Sequence, residues 1–138
     1  GLVLHDDVIK LATLVIERRA EEVILFVKNL AHKGENLSNA LQDLTSLFHQ
    51  ISIGQMLTNN EQIASEIITL ASQISAHDLQ LFYQIAINGQ KDLSYSPSEQ
   101  IGLEMTLLRM ITFHPDYDGA KKTLKTSTKP KTKSLKVK

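Results

Sequence analysis

The stretch INGQKDLSYSPSEQIGLEMTLLRM, residues 87–110, decides the fold. In its second half Ile101, Leu103, Met105, Leu107, Leu108 and Met110, continued by Ile111, leave no clean polar face. The spacing predicts a helix that is apolar nearly all round, whereas an ordinary surface helix carries one apolar stripe and one wet face. SPSE is its start signal: Ser96 is expected as N-cap, Pro97 at the first helical position and Glu99 at the third, a capping box with proline in its preferred place. The helix should run to about Phe113, where His114-Pro115 closes it. Asn88-Gly89 is the one candidate hairpin turn, but helical patterns flank it on both sides, so Gly89 is read as a helix end. The helix it ends is expected to begin at SAHD, with Ser75 as cap, Asp78 in the box position, and Ile74 and Leu79 at the two staple positions. Leu79, Phe82, Tyr83 and Ala86 then share one face.

Working outward, the same period recurs. Val8, Ile9, Ala12, Val15 and Ile16 form one stripe, and Val23, Ile24, Val27, Leu30 and Ala31 the next, closed by Gly34 in the manner of a C′ glycine. These stripes stay in phase, so periodicity alone allows one helix from Asp6 to His32. A break is expected near the polar ERRAEE patch, although no Gly or Pro compels it. Leu37, Ala40, Leu41, Leu44, Leu47, Phe48 and Ile51 mark a long third helix with Asn36 as cap. Gly54 near its end costs about 1 kcal/mol against Ala and is expected to mark a close helix crossing. A fourth helix should start after Asn59-Asn60 and carry Ile63, Ile67, Leu70, Ala71 and Ile74. Strand signals are missing. The expectation is an all-α compact bundle of five or six helices over residues 1–118, followed by a Lys-rich linker, 119–138.

Composition bounds the rest. The 138 residues can build one core, burying roughly two thirds of the unfolded surface. With no cysteine there is no disulfide scaffold and no thiolate metal site. No apolar run is long enough to span a membrane, and GLVLHDDV lacks the basic and apolar regions of a signal peptide. The chain opens at Gly1 rather than Met, so it is expected to be a piece of a longer protein. The net charge of zero hides a split. All 15 acids lie between Asp6 and Asp118, whereas eight of the 15 Lys and Arg residues lie from Lys121 onward; residues 1–119 thus carry 7 − 15 = −8 and the remainder +8. The tail KKTLKTSTKPKTKSLKVK has no aromatic residue and no apolar face, and is read as disordered. Its lysines suit weak, salt-dependent, sequence-independent nucleic-acid contact, though no Arg or stacking aromatic accompanies them.

Chemistry is hard to find. His5, His32, His49, His77 and His114 show no metal-ligand spacing and are read as surface or half-buried. GAKKT, 119–123, lacks the full phosphate-loop spacing and a preceding strand. No nucleophile motif is present. Glu17, Glu21 and Glu22 read as a solvated face. What remains is the segment 79–113, where Gln80, Gln84, Glu104 and Arg109 interrupt apolar stripes. A buried charge must be paired, so Arg109 is expected to meet Asp92 or Glu104. The segment is either a core hairpin or one whose second side meets another protein.

These residues carry a resemblance. DLQLFYQIAINGQKDL, 78–93, followed by GLEMTLLRMITFHP, 102–115, resembles the third domain of the tau/gamma subunits of the bacterial DNA polymerase III clamp loader. Asp78, Gln80, Leu81, Tyr83 and Gln84 match the first half of that family's pattern. Gly89, Asp92, Leu93, Pro97, Glu104, Met105, Thr106, Leu107, Leu108, Arg109, Phe113, His114 and Pro115 match the second. Gln90-Lys91 stands where the family usually has two basic residues. HDDVIKL and LFHQISIGQM, through Leu47, His49, Ile51 and Gln55, are similar to its upstream part.

The resemblance implies a non-catalytic helical collar domain that packs side by side with its equivalents in the delta and delta-prime subunits and in other tau/gamma copies. It implies bacterial, cytoplasmic replisome work, with no membrane and no small-molecule substrate. It implies an ATPase parent, a DNA polymerase III subunit, whose ATP, magnesium and zinc sites lie in upstream domains, leaving no cofactor here. The tail looks like the start of the linker that follows the collar. Interface candidates are Gln80, Tyr83, Gln84, Gly89, Asp92, Glu104, Met105, Leu107, Leu108 and Arg109. The alternative is a nucleic-acid-binding module acting through the tail.

Overall fold

The computed structural model describes residues 5–57 and 63–113. Six α-helices and one short 3₁₀ turn account for the regular structure among them, with no strand. The expected positions of residues 1–4, Asn59-Asn60, His114-Pro115 and the 119–138 tail lie outside the described residues.

The in-phase apolar run of the first thirty residues is two helices, α1 (His5–Ile16) and α2 (Ala20–His32). The expected break is made without glycine. Arg18 adopts φ +58°, its N–H donates to the Val15 carbonyl, and the Arg19 N–H donates to that of Leu14. That pair of bonds is the Schellman stop, here built on an arginine rather than the usual glycine. Arg19 then pairs with Glu17 at 3.3 Å and with Glu22, and these two hydrogen bonds raise its pKa above the ordinary value. The end of α2 repeats the stop with Gly34 at φ +80°: its N–H reaches Ala31 O and that of Glu35 reaches Leu30 O.

α3 (Leu37–Met56) starts where Asn36 Oδ1 accepts from the Asn39 N–H at 3.0 Å. It is the central helix, touching α1, α4, α5 and α6, and Ala40, Leu41, Leu44, Leu47, Phe48 and Ile51 are buried along it. Gly54 faces the next helix: a Cβ there would stand 3.4 Å from Ile67 Cγ2 and 3.8 Å from Ala71 Cβ, an ordinary contact. The crossing is close, yet it does not demand glycine.

α4 (Ser65–Ala71) is shorter than its apolar pattern predicts, and Ile63 and Ile74 lie outside it. The Gln55 side chain explains how so short a helix is held. Its Nε2 donates to the Ala71 carbonyl at 3.3 Å, an acceptor that the end of α4 leaves open, and to that of Ile74 at 2.8 Å in the loop that follows.

α5 (Ala76–Asp92) begins as expected, with Ser75 Oγ accepting from the Asp78 N–H. Its Phe82 ring packs against Phe48 of α3, centroids 5.9 Å apart and tilted by 59°. It does not stop at Gly89. The helix passes through that residue and ends at Asp92, followed by the 3₁₀ turn Leu93–Tyr95 and then α6 (Glu99–Thr112).

Candidate assembly surface

The α5–α6 hairpin is held at two points where backbone meets side chain. Gly89 is buried against α6: a Cβ on it would lie 2.4 Å from Thr106 Oγ1 and 2.5 Å from Thr106 Cγ2. Gly102, in the first turn of α6, is pressed as closely on the corner, with Leu93 Cδ2 at 2.5 Å and Ser96 Oγ at 2.6 Å from the same hypothetical atom. Gly89 is therefore a packing residue inside a helix, not the helix stop its letter suggests.

The α6 cap also differs from expectation. Ser98, not Ser96, is the N-cap, and its Oγ accepts from the Ile101 N–H at 3.1 Å. Ser96 is occupied with the corner, its hydroxyl set 2.8 Å from Leu93 O and 2.9 Å from Ser98 O. Pro97 consequently precedes the cap and Glu99 is the first helical residue, so the expected reciprocal box is absent.

The question raised by the all-round apolar helix has a geometric answer. Leu103, Leu107, Met110 and Ile111 face the core with no exposure, beside the small Gly102 and Thr106. Ile101 and Met105 point outward, 43% and 52% exposed, and Leu108 lies half-buried on the same stripe. Tyr95, on the 3₁₀ turn, is 87% exposed. Tyr95, Pro97, Ile101 and Met105, with Asp92 and Arg109, border one shallow groove of about 260 Å³.

The ten residues singled out from sequence divide accordingly. Asp92, Met105 and Arg109 come together on this groove, with Leu108 on the adjoining stripe. Gly89 and Leu107 are core. Tyr83 is half-buried against the core, while Gln84 is exposed. Gln80 reaches α3 instead, its Nε2 3.4 Å from Ser52 Oγ. Among the described residues Arg109 makes no ion pair, and Glu104 accepts from Gln100 Nε2 at 3.0 Å, one helical turn away. The expected pairing of Arg109 with Asp92 or Glu104 is thus not formed; Arg109 is only half-buried, so water can serve it. His5, His32, His49 and His77 are exposed, as read.

Sequence reasoning passed over Tyr95, which stands in a turn outside any periodic stripe. It also passed over a second exposed group, Ile53, Met56, Leu57 and Ile68, where α3 ends beside α4. For Ile53, Met56 and Ile68 the signal is an apolar residue off the buried phase of its own helix; Leu57 follows the end of α3.

The fold of this six-helix body is shared with part of a solved clamp-loader protein. The Bacillus subtilis DNA clamp loader delta protein matches with a TM-score of 0.66 and 16% identity, over 77% of this chain and 36% of that one. The family model for DNA polymerase III subunits gamma and tau domain III matches residues 1–123, and the chain belongs to that family. The DNA polymerase III subunit tau of Escherichia coli is 32% identical over 120 residues, 83% of this chain and 19% of that protein. The tau/gamma subunit of Haemophilus influenzae is 36% identical over 92 residues, 66% of this chain and 13% of the relative. The gamma subunit of a Buchnera aphidicola strain is 27% identical over 122 residues, 83% and 33%. The chain thus spans a third or less of the length of these relatives.

Proposed function

We propose that this domain is an assembly module of the clamp loader. It packs beside the equivalent domains of delta, delta-prime and other tau/gamma copies, in the complex that loads the sliding clamp during bacterial DNA replication. The observation that carries the reading is the outward stripe Ile101–Met105–Leu108 with Tyr95, apolar surface on a helix whose opposite side already fills the core. Contiguous exposed apolar residues rimmed by polar ones suit a protein–protein contact. The module itself needs neither ATP nor metal; nucleotide, magnesium and zinc belong to other parts of the parent, which works in the cytoplasm.

Co-purification tests the proposal. The chain, joined to its ATPase region, should capture delta and delta-prime, and Met105→Glu with Ile101→Glu should weaken that capture while leaving the fold intact. A chain that remains monomeric and captures neither subunit would refute it. Removing residues 120–138 should leave capture unchanged; loss of low-salt DNA binding on that truncation would give the tail a separate role.

A further inference from the structure

A second surface has a different chemistry. Between α1 and α2 lies an open trough of about 660 Å³, formed by Lys10 and Leu14 of α1 and by Leu25, Phe26, Lys28 and His32 of α2. Leu14 is buried and Phe26 half-buried, so together they make an apolar floor. Leu25 stands above it, 60% exposed, on the side of α2 opposite the buried Val23, Val27 and Leu30. A single exposed leucine is unremarkable by itself. Its surroundings are less ordinary.

Lys10 and Lys28 are exposed on the rim, and among the described residues neither has a carboxylate within ion-pair distance. Among the described residues the one carboxylate lining the trough, Glu22, is already held by Arg19. This occurs on a body, residues 1–119, that carries 15 acids against seven Lys and Arg. The trough is therefore an apolar floor under two exposed ammonium groups that pair with no described carboxylate, on an otherwise acidic domain. We infer that it docks a protein segment presenting an apolar side chain flanked by carboxylates. Such a segment covers Leu25 and Phe26 and gives Lys10 and Lys28 the counter-charges they lack. Nucleic acid fits poorly, because Phe26, the aromatic residue lining the trough, is half-buried in its floor and gives no open ring face for base stacking. The trough is too open to bury most of a small molecule. This surface goes beyond the α6 stripe and shares no residue with it.

The test uses the full chain and a synthetic capped helical peptide with a leucine row flanked by glutamates, compared with the same peptide carrying lysines instead. The glutamate peptide should bind, with amide shifts centred on Leu25, Phe26 and Lys28, and binding should weaken as salt rises. Lys10→Glu and Lys28→Glu should each weaken it about two- to fivefold, in keeping with one exposed ion pair apiece, and Leu25→Ser should weaken it without altering the thermal midpoint. The inference is overturned by any of four results: no binding of the glutamate peptide, equal binding of the lysine peptide, shifts centred on Ile101 and Met105, or equal occupation of the trough by a single-stranded DNA oligonucleotide.

Discussion

Gly89 of α5 stands so close to Thr106 of α6 that a methyl group on it would lie 2.4 Å from the threonine hydroxyl. The same methyl on Gly54 would meet Ile67 at ordinary contact distance. The two glycines therefore predict opposite outcomes. Gly89→Ala should destabilise by about 1–3 kcal/mol, the cost of overpacking a tight helix crossing. Gly54→Ala should be neutral or stabilise by up to about 1 kcal/mol through helix propensity. Urea denaturation of both variants decides; a Gly89→Ala protein as stable as the parent would show that α5 and α6 can part cheaply.

Arg18 holds a left-handed backbone that L-residues adopt at a cost. Arg18→Gly should relieve it and stabilise by roughly 0.5–1 kcal/mol, after the greater unfolded-state freedom of glycine is subtracted. Gly34→Ala should lose about 1 kcal/mol, because φ +80° suits glycine although nothing crowds the site. Thermal midpoints moving in opposite directions would support both.

Ser98 supplies the oxygen that caps α6. Ser98→Ala should cost about 1 kcal/mol. Ser98→Asp should retain most of it, since a carboxylate also accepts at a helix start. A Ser98→Ala protein with unchanged stability would mean the cap is dispensable.

Leu107 and Met105 lie two positions apart on α6 and should behave differently. Leu107→Ala should cost about 2–5 kcal/mol, as for a fully buried leucine. Met105→Glu should shift stability by no more than about 0.5 kcal/mol while affecting subunit capture. If Met105→Glu unfolds the domain, its side chain belongs to the core.

Much of the fold was legible because helix period, Asn36, Ser75 and Gly34 all act locally. The Arg18 stop was half-legible: the polar patch showed that something happens, but arginine carries no turn signal. Gly89 was misread since a glycine that ends a helix and one that admits a neighbour look alike along the chain. The neighbour, Thr106, is brought up only by the folded hairpin. Ser96 and Ser98 flank the same proline, and the local rule favours Ser96. The 3₁₀ turn decides otherwise by engaging the Ser96 hydroxyl. Glu104 and Arg109, spaced i and i+5 on α6, do not face each other, so the sequence already argued against that pair, whereas Gln100 and Glu104 at i and i+4 do meet. Of the candidate surface, Met105 and Leu108 were visible through an excess of apolar residues. Tyr95 was not, because exposure in a turn leaves no pattern.

The clasp of Gln55 on the carbonyls of Ala71 and Ile74 has a temporal consequence. A helix of seven residues cannot persist by itself, and α4 buries only Ile67 and Leu70. Its lifetime is thus lent to it by packing on α3, through the Gln55 amide and the burial of its own Ile67 and Leu70. Hydrogen exchange should find the α4 amides opening well before those at the centre of α3, and Gln55→Ala should widen that gap while leaving the exchange of α5 and α6 at its former pace.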